Sequence, residues 1–247
     1  MNSQRTQVQP QVSVVIPAFN EQDNLSELVH RTAEALKDHN PWELVLVLDG
    51  CTDDSLETSL SLLHEGFPLR IFDLGQGYGQ HAAIRAGLGQ ARGQSIVTLD
   101  ADLQNPPEAI PDIVDLLQEG ADAVGTIRKH RQDSTKRQMA SALFRSVLAT
   151  LQFRHQLKDP GCMLRGWRRS VVTDFLATDQ RALYLPLQIN EFAHSYAEIK
   201  TAHHSRHSGK SQYTALKLAR LFTKVLALKH PFGVPMFPPP QPVAEYS

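Results

Sequence analysis

Apolar residues fall along the first half of the chain in two alternating rhythms. Val12–Ile16 is a short run rich in β-branched residues that stops at Pro17, the mark of a strand entering a loop. From Asp23, the positions Leu25, Leu28, Val29, Thr32, Ala33 and Leu36 follow the i, i+3, i+4, i+7 spacing of an amphipathic helix. Leu44–Leu48 is apolar on both alternating faces, as a central parallel strand requires, and it ends at the turn-forming segment DGCTDDS. The same alternation predicts helix over Ser55–Glu65, strand over Leu69–Asp73, helix over Gln80–Ala91 and strand over Ser95–Leu99. Helix over Ala109–Glu119 and strand over Ala123–Thr126 follow. This order predicts an α/β fold with about five parallel strands joined by right-handed crossovers. Ligands of such sheets bind beyond the carboxyl ends of the strands, so Pro17–Glu21, Asp49–Asp54 and Asp100–Asn105 are expected to share one cleft.

After residue 127 the regularity fades into the basic stretch IRKHRQDSTKR, a helix near Gln138–Leu151 and the segment DPGCMLRGWRR. Polar and apolar residues alternate over Tyr196–Thr201, predicting an added strand that leads into a cationic loop at His203–Tyr213. A last helix over Ala215–His230 is stopped by Pro231, and the Pro-rich tail beyond it is expected to form no regular structure. On that helix Leu218, Leu221, Phe222, Val225 and Leu228 form one apolar arc flanked by Lys217, Arg220 and Lys224. Such a face suits either a membrane interface or packing on the helix's own domain.

Charge narrows the functional classes. The 247 residues carry 25 Lys+Arg against 26 Asp+Glu, so no overall basic field draws the chain to nucleic acid. A hydrophobic fraction of 41% with 14 Gly and 15 Pro is that of a globular protein, not of a disordered or collagenous one. Cys51 and Cys162 are distant in sequence and fit neither a disulfide framework nor a zinc spacing, so a reducing, cytoplasmic setting is expected. His203, His204 and His207 read as surface residues. The polar start of the chain lacks the apolar core of a signal peptide, and no apolar run approaches the roughly 18 residues of a membrane-spanning helix.

At the end of an apolar strand, Thr98-Leu99-Asp100-Ala101-Asp102-Leu103-Gln104 places two carboxylates two residues apart. Such a pair can face one hard cation, Mg²⁺ or Mn²⁺, together with a substrate phosphate. Taken alone, the spacing equally describes a solvated turn or a helix cap. The residues that follow complete DADLQNPPE, which resembles the signature of family 2 glycosyltransferases that move a sugar onto a polyprenyl phosphate of the undecaprenyl or dolichyl type. The resemblance runs from Val12 to Tyr213 through VSVVIPAFNEQDNL, the strand ending at Asp49, YGQHAAIRAGL, DADLQNPPE, VGTIRKHRQDS and DPGCMLRGWRR. It implies a GT-A, Rossmann-like fold: a mostly parallel sheet with helices on both faces over residues 12–213. Residues 1–11 are then a disordered lead-in, 214–230 a basic amphipathic helix and 231–247 a tail.

The resemblance also implies roles. Pro17, Phe19, Asn20 and Glu21 line the nucleotide pocket, and Asp49 contacts the base, where a carboxylate can accept an N–H of uracil or guanine. The alternative for Asp49 is a turn residue before Gly50. Leu48 stands where an aspartate is usual in the family. Gln80 and His81 open a helix toward the sugar-diphosphate, with helix capping as the alternative for His81. Asp100, Ala101 and Asp102 join the donor site, and Asp100, Asp102 and Gln104 are the expected metal ligands. Arg128 and Arg131 are expected to hold the acceptor phosphate, which guanidinium groups bind bidentately. Lys129, Lys136 and Arg137 belong to the same cationic run, which otherwise reads as a solvated face. Asp133 and Asp159 are the remaining candidates beside the reacting centre. Arg206 and Lys210 match a loop whose cations close over the leaving diphosphate, although Gln212 stands at the usual lysine position.

The expected function is therefore an inverting, metal-dependent transfer of a sugar from a nucleotide sugar, UDP before GDP, to a polyprenyl phosphate. The expected partner is that lipid and the expected location cytoplasmic; peripheral contact with the cytoplasmic face of the membrane and a homo-oligomer are both left open. Two rivals stand beside it: a family 2 transferase with a hydroxyl acceptor, in which Asp133 or Asp159 serves as base, and a catalytically silent nucleotide-sugar-binding scaffold.

Overall fold

A computed structural model of the chain describes residues 9–129, 146, 150, 153–178, 184–203 and 240–247. The elements in order are β1 (Val12–Ala18), α1 (Gln22–Ala35), β2 (Trp42–Leu48), α2 (Ser55–His64), β3 (Leu69–Asp73) and α3 (Gln80–Gln90). They continue with β4 (Ser95–Thr98), a 3₁₀ turn at Pro107–Ala109, α4 (Ile110–Gln118), β5 (Ala123–Arg128) and β6 (Arg165–Arg168). The last are α5 (Arg169–Leu176), α6 (Leu185–Asn190), β7 (Tyr196–Thr201) and β8 (Ala244–Tyr246). The predicted helices at 138–151 and 215–230 lie outside the described residues, apart from the helical Ser146 and Thr150.

The strands form one sheet in the order β7-β5-β6-β4-β1-β2-β3-β8. β1, β2, β3 and β4 pair in parallel, and so do β5 and β7. The five expected strands, β1 to β5, run in one direction, and β6 is an addition that inserts antiparallel between β4 and β5. A correction concerns the tail. Ala244–Tyr246 pairs antiparallel with Ile71–Asp73, so the last residues gain regular structure from the open edge of β3.

Period-two alternation sorts the sheet's side chains into two cores. Val12, Val14 and Ile16 of β1 and Leu44, Leu46 and Leu48 of β2 face α1, α2 and α4. Val15, Val45 and Val47 face α3, α5 and α6 on the other side. Helices therefore cover both faces. Strand β1 continues through Pro17 to Ala18. A proline is tolerated there because regular pairing with β4 stops at Val15, leaving no ladder bond on that side for Pro17 to forfeit.

Two half-buried carboxylates tie loops to the sheet. Asp53 accepts the amides of Gln22 (3.2 Å) and Ser55 (3.1 Å), and Asp122 accepts those of His194 (2.9 Å) and Ser195 (3.1 Å). Burial opposes the charge of each, but hydrogen bonds from Ser55 and Gln22, and from Ser195 and His194, outweigh it and hold both below the ordinary carboxylate value of 3.8. Each therefore stabilises the fold above that value, and the contribution is lost as pH falls through the depressed folded value. Asp122→Asn should cost about 1–2 kcal/mol at pH 6 and flatten the loss of stability in acid, as measured by urea unfolding between about pH 6 and 2.5.

Candidate functional site

The loops that leave the carboxyl ends of β1, β2, β3 and β4 are bound to one another by side chains. After β1, Asn20 adopts a left-handed backbone (φ 56°), which asparagine accepts more readily than most residues. Its side chain accepts the Thr52 amide at 2.8 Å and donates to the Thr52 hydroxyl at 3.2 Å. Glu21 receives the neighbouring Asn24 amide group on its carboxylate (2.6 Å), and its own N–H donates to Ser55 Oγ (3.0 Å). These bonds leave the Phe19 ring 53% exposed at the rim. Pro17 is buried within β1 and supports this loop from below.

Asp49, at the end of β2, is buried and spends both carboxylate oxygens on the next loop. Oδ1 accepts the Tyr78 amide at 2.7 Å and Oδ2 accepts that of Gly79 at 2.8 Å. Gly50 follows at φ +73°, and a Cβ placed on it would stand 2.3 Å from the Gly77 nitrogen and 2.5 Å from the Gln76 carbonyl carbon. Both the turn and the close approach require glycine. Gly50→Ala should therefore cost on the order of 2–3 kcal/mol in thermal or urea unfolding, with the damage centred on residues 75–79.

Gly79 is the N-cap of α3 at φ +93°, so the capping alternative for His81 is not what the helix uses. The His81 ring instead packs edge-on against Tyr184 with centroids 5.4 Å apart. Gln80 reaches across to the loop after β4, where its Nε2 donates to Asp100 Oδ1 at 2.6 Å. Within that loop Ala101 is buried in the core and Leu103 turns at φ 57°, while Gln104 N donates to Asp102 Oδ1 at 3.2 Å. Asp102 is 7% exposed. Asn105 accepts the buried Cys162 thiol at 3.4 Å, which ties the DADLQN loop to the DPGC segment.

That segment carries a buried ion pair. Asp159 Oδ2 accepts Arg128 Nε at 2.7 Å and Oδ1 accepts Nη2 at 2.8 Å, a bidentate pair with both side chains largely buried. Arg165 holds the segment in place by donating to the carbonyls of Asp159 (2.6 Å) and Cys162 (2.8 Å). Beside the pair, Ile127, Arg128, Lys129 and Lys200 line an open depression of about 350 Å³. Lys200 went unrecognised in the sequence. Only the parallel pairing of β7 with β5, which sets Lys200 opposite Ile127, brings it to this cationic rim.

The structure thus gathers Asn20, Glu21, Asp49, Gln80, Asp100 and Asp102 on one edge of the sheet, with Arg128 and Asp159 at the ends of neighbouring elements. Arg131, Asp133, Lys136, Arg137, Arg206 and Lys210 lie outside the described residues. No cluster of three or more His, Cys, Asp or Glu side chains suited to a metal occurs among the described residues. Among the described residues, Asp100 and Asp102 are the carboxylate pair of the loop after β4. An oxygen-only pair fits a hard divalent ion that takes the rest of its coordination from a diphosphate and water.

A family model for glycosyl transferase family 2 matches residues 13–176. The undecaprenyl-phosphate 4-deoxy-4-formamido-L-arabinose transferase of Yersinia enterocolitica is 43% identical over 213 residues, covering 85% of this chain and 64% of the relative. The protein of the same name from Pseudomonas aeruginosa is 44% identical over 212 residues, covering 85% of this chain and 62% of the relative. The chain spans less than two thirds of the length of these relatives. Among solved structures, glucosyl-3-phosphoglycerate synthase from Mycobacterium tuberculosis, in complex with Mn²⁺, UDP and phosphoglyceric acid, superposes with a TM-score of 0.68. It is 18% identical, and the match covers 92% of this chain and 80% of that one, a likeness of fold.

Proposed function

The chain belongs to glycosyl transferase family 2, and from its site we propose that it transfers a sugar from a UDP-sugar to a polyprenyl monophosphate with inversion at the anomeric carbon. The observation that carries this reading is the joining of the Asp49, Gln80 and Asp100–Asp102 loops on the same sheet edge as Arg128 and its cationic rim. A 4-deoxy-4-formamido-L-arabinosyl or related group is the first sugar to test, following the names of the relatives.

Asp100 and Asp102, with Gln104, would hold a Mg²⁺ or Mn²⁺ ion, which when bound offsets charge on the departing diphosphate. Gln80 orients the Asp100 carboxylate toward that position, and the Gln104 amide fixes Asp102. At the other side of the reacting centre, Lys129 and Lys200, beside the Asp159-paired Arg128, line the place of an acceptor phosphate. A phosphate monoester has a second pKa near 6, so its attacking oxygen is largely ionised at neutral pH and needs no strong base. Asp159 agrees with that economy. Its carboxylate is directed at Arg128 and holds the guanidinium in place.

The lipid acceptor puts the work of the protein at a membrane surface, on the side where nucleotide sugars are available. No helix among the described residues is long and apolar enough to cross a membrane. Arg131 is proposed for the acceptor phosphate, and Arg206 and Lys210 for the leaving diphosphate; all three lie outside the described residues. Calorimetric titration with UDP and GDP, each with Mn²⁺ and with chelator, tests the donor half. Metal-dependent binding of UDP is the expected result, and binding of neither nucleotide would favour a silent scaffold.

A further inference from the structure

The loop Leu74–Gly79 is held from two sides, and only one of them belongs to the nucleotide-binding half of the sheet. On the inner side stand the Asp49 carboxylate and the close backbone approach of Gly50. On the outer side stands β8. The Val243 amide donates to the Asp73 carbonyl at 2.7 Å, one residue before the loop begins. Asp73 Oδ1 in turn accepts the Gly75 amide at 2.8 Å. The Val243 side chain covers Gly75, with a methyl 3.1 Å from where a Cβ on that glycine would stand. β8 is itself anchored. Glu245 pairs with Arg70 at 2.9 Å, Tyr246 packs against the core, and Ala244–Tyr246 runs in register with Asp73–Ile71.

A loop with glycines at 75, 77 and 79, two of them at positive φ, has little conformational preference of its own. Its shape comes from what grips it. We propose that β8 is a positioning element for the donor site: by closing the edge of β3 and covering Gly75, it fixes the loop that presents Tyr78 and, through Gln80, orients Asp100. This role rests on the donor-site reading above and adds residues 240–247 to it. Local pattern does not reveal it, because β8 follows a Pro-rich run and reaches the loop only through pairing with β3.

The test uses the full chain, a chain shortened to residue 239, and Val243→Pro, which removes the donated N–H at a largely exposed position. Amide exchange over residues 74–79 and calorimetric UDP affinity with Mn²⁺ are measured for each, together with initial rates over a range of donor concentrations. Exchange over 74–79 should accelerate about tenfold and UDP affinity fall about tenfold in both variants. Unchanged exchange or unchanged UDP affinity in both variants overturns the proposal, as does a loss confined to kcat. Should the shortened chain unfold, Val243→Pro decides. Failure of the full chain to bind UDP would contradict the donor-site reading, and the exchange rates would then judge the grip of β8 on the loop.

Discussion

Asp102→Asn is expected to lower sugar transfer by about a thousandfold, equivalent to about 4 kcal/mol of lost transition-state stabilisation, with little change in fold. The side chain is nearly enclosed, and its Oδ1 accepts the Gln104 amide. Asparagine keeps that oxygen and the volume but removes the charge, so the turn survives while the carboxylate pair is reduced to one. The loss should fall on the chemical step and on metal dependence, and not on unfolding. Initial rates over a Mn²⁺ series, beside a urea unfolding curve, check both halves. A variant within tenfold of the parent would remove the paired aspartates from the site.

The second large effect concerns Asp159. Breaking a buried ion pair by removing one partner typically costs about 3–5 kcal/mol, since the remaining charge loses its compensation. Asp159→Ala deprives the Arg128 guanidinium of both bidentate bonds and should destabilise the fold by that order. Asp159→Asn is the more informative variant. If Asp159 positions Arg128 for an acceptor phosphate, acceptor KM should rise about tenfold while kcat stays within a few-fold. If it were instead a general base for a hydroxyl acceptor, kcat would fall by about a hundredfold or more with KM little changed. Steady-state kinetics on a polyprenyl phosphate separates the two.

The first half of the fold was readable because its signals are local. Val12–Ala18, Trp42–Leu48, Leu69–Asp73 and the helices between them announce themselves by apolar runs and helical spacing, and each lies within a few residues of its predicted bounds. β6 was not readable. It is RGWR, and its Arg165 is buried because the carbonyls of Asp159 and Cys162 and the Tyr196 hydroxyl satisfy it, a compensation that no strand pattern encodes. α5 and α6 follow it into the region where periodicity had faded. β8 is three residues long and is stabilised by β3, about 170 residues away in sequence.

The site shows the same division. Asp100, Asp102, Asp49, Gln80, Arg128 and Asp159 could be named as candidates from strand ends and family resemblance. The contacts that join them could not. That Asp49 grips the Tyr78 and Gly79 amides, that Gln80 meets Asp100, and that Asp159 faces Arg128 are consequences of how loops from distant strands converge. Lys200 joined the cationic rim for the same reason.

The central claim is acceptor-dependent transfer, and its most direct test is release of UDP from a panel of UDP-sugars, including the 4-deoxy-4-formamido-L-arabinose derivative, with and without undecaprenyl phosphate. The account predicts that one donor releases UDP only when the lipid phosphate and Mn²⁺ or Mg²⁺ are both present, with a glycosylated lipid phosphate as the product. UDP release that ignores the lipid, or no release from any donor, would contradict it.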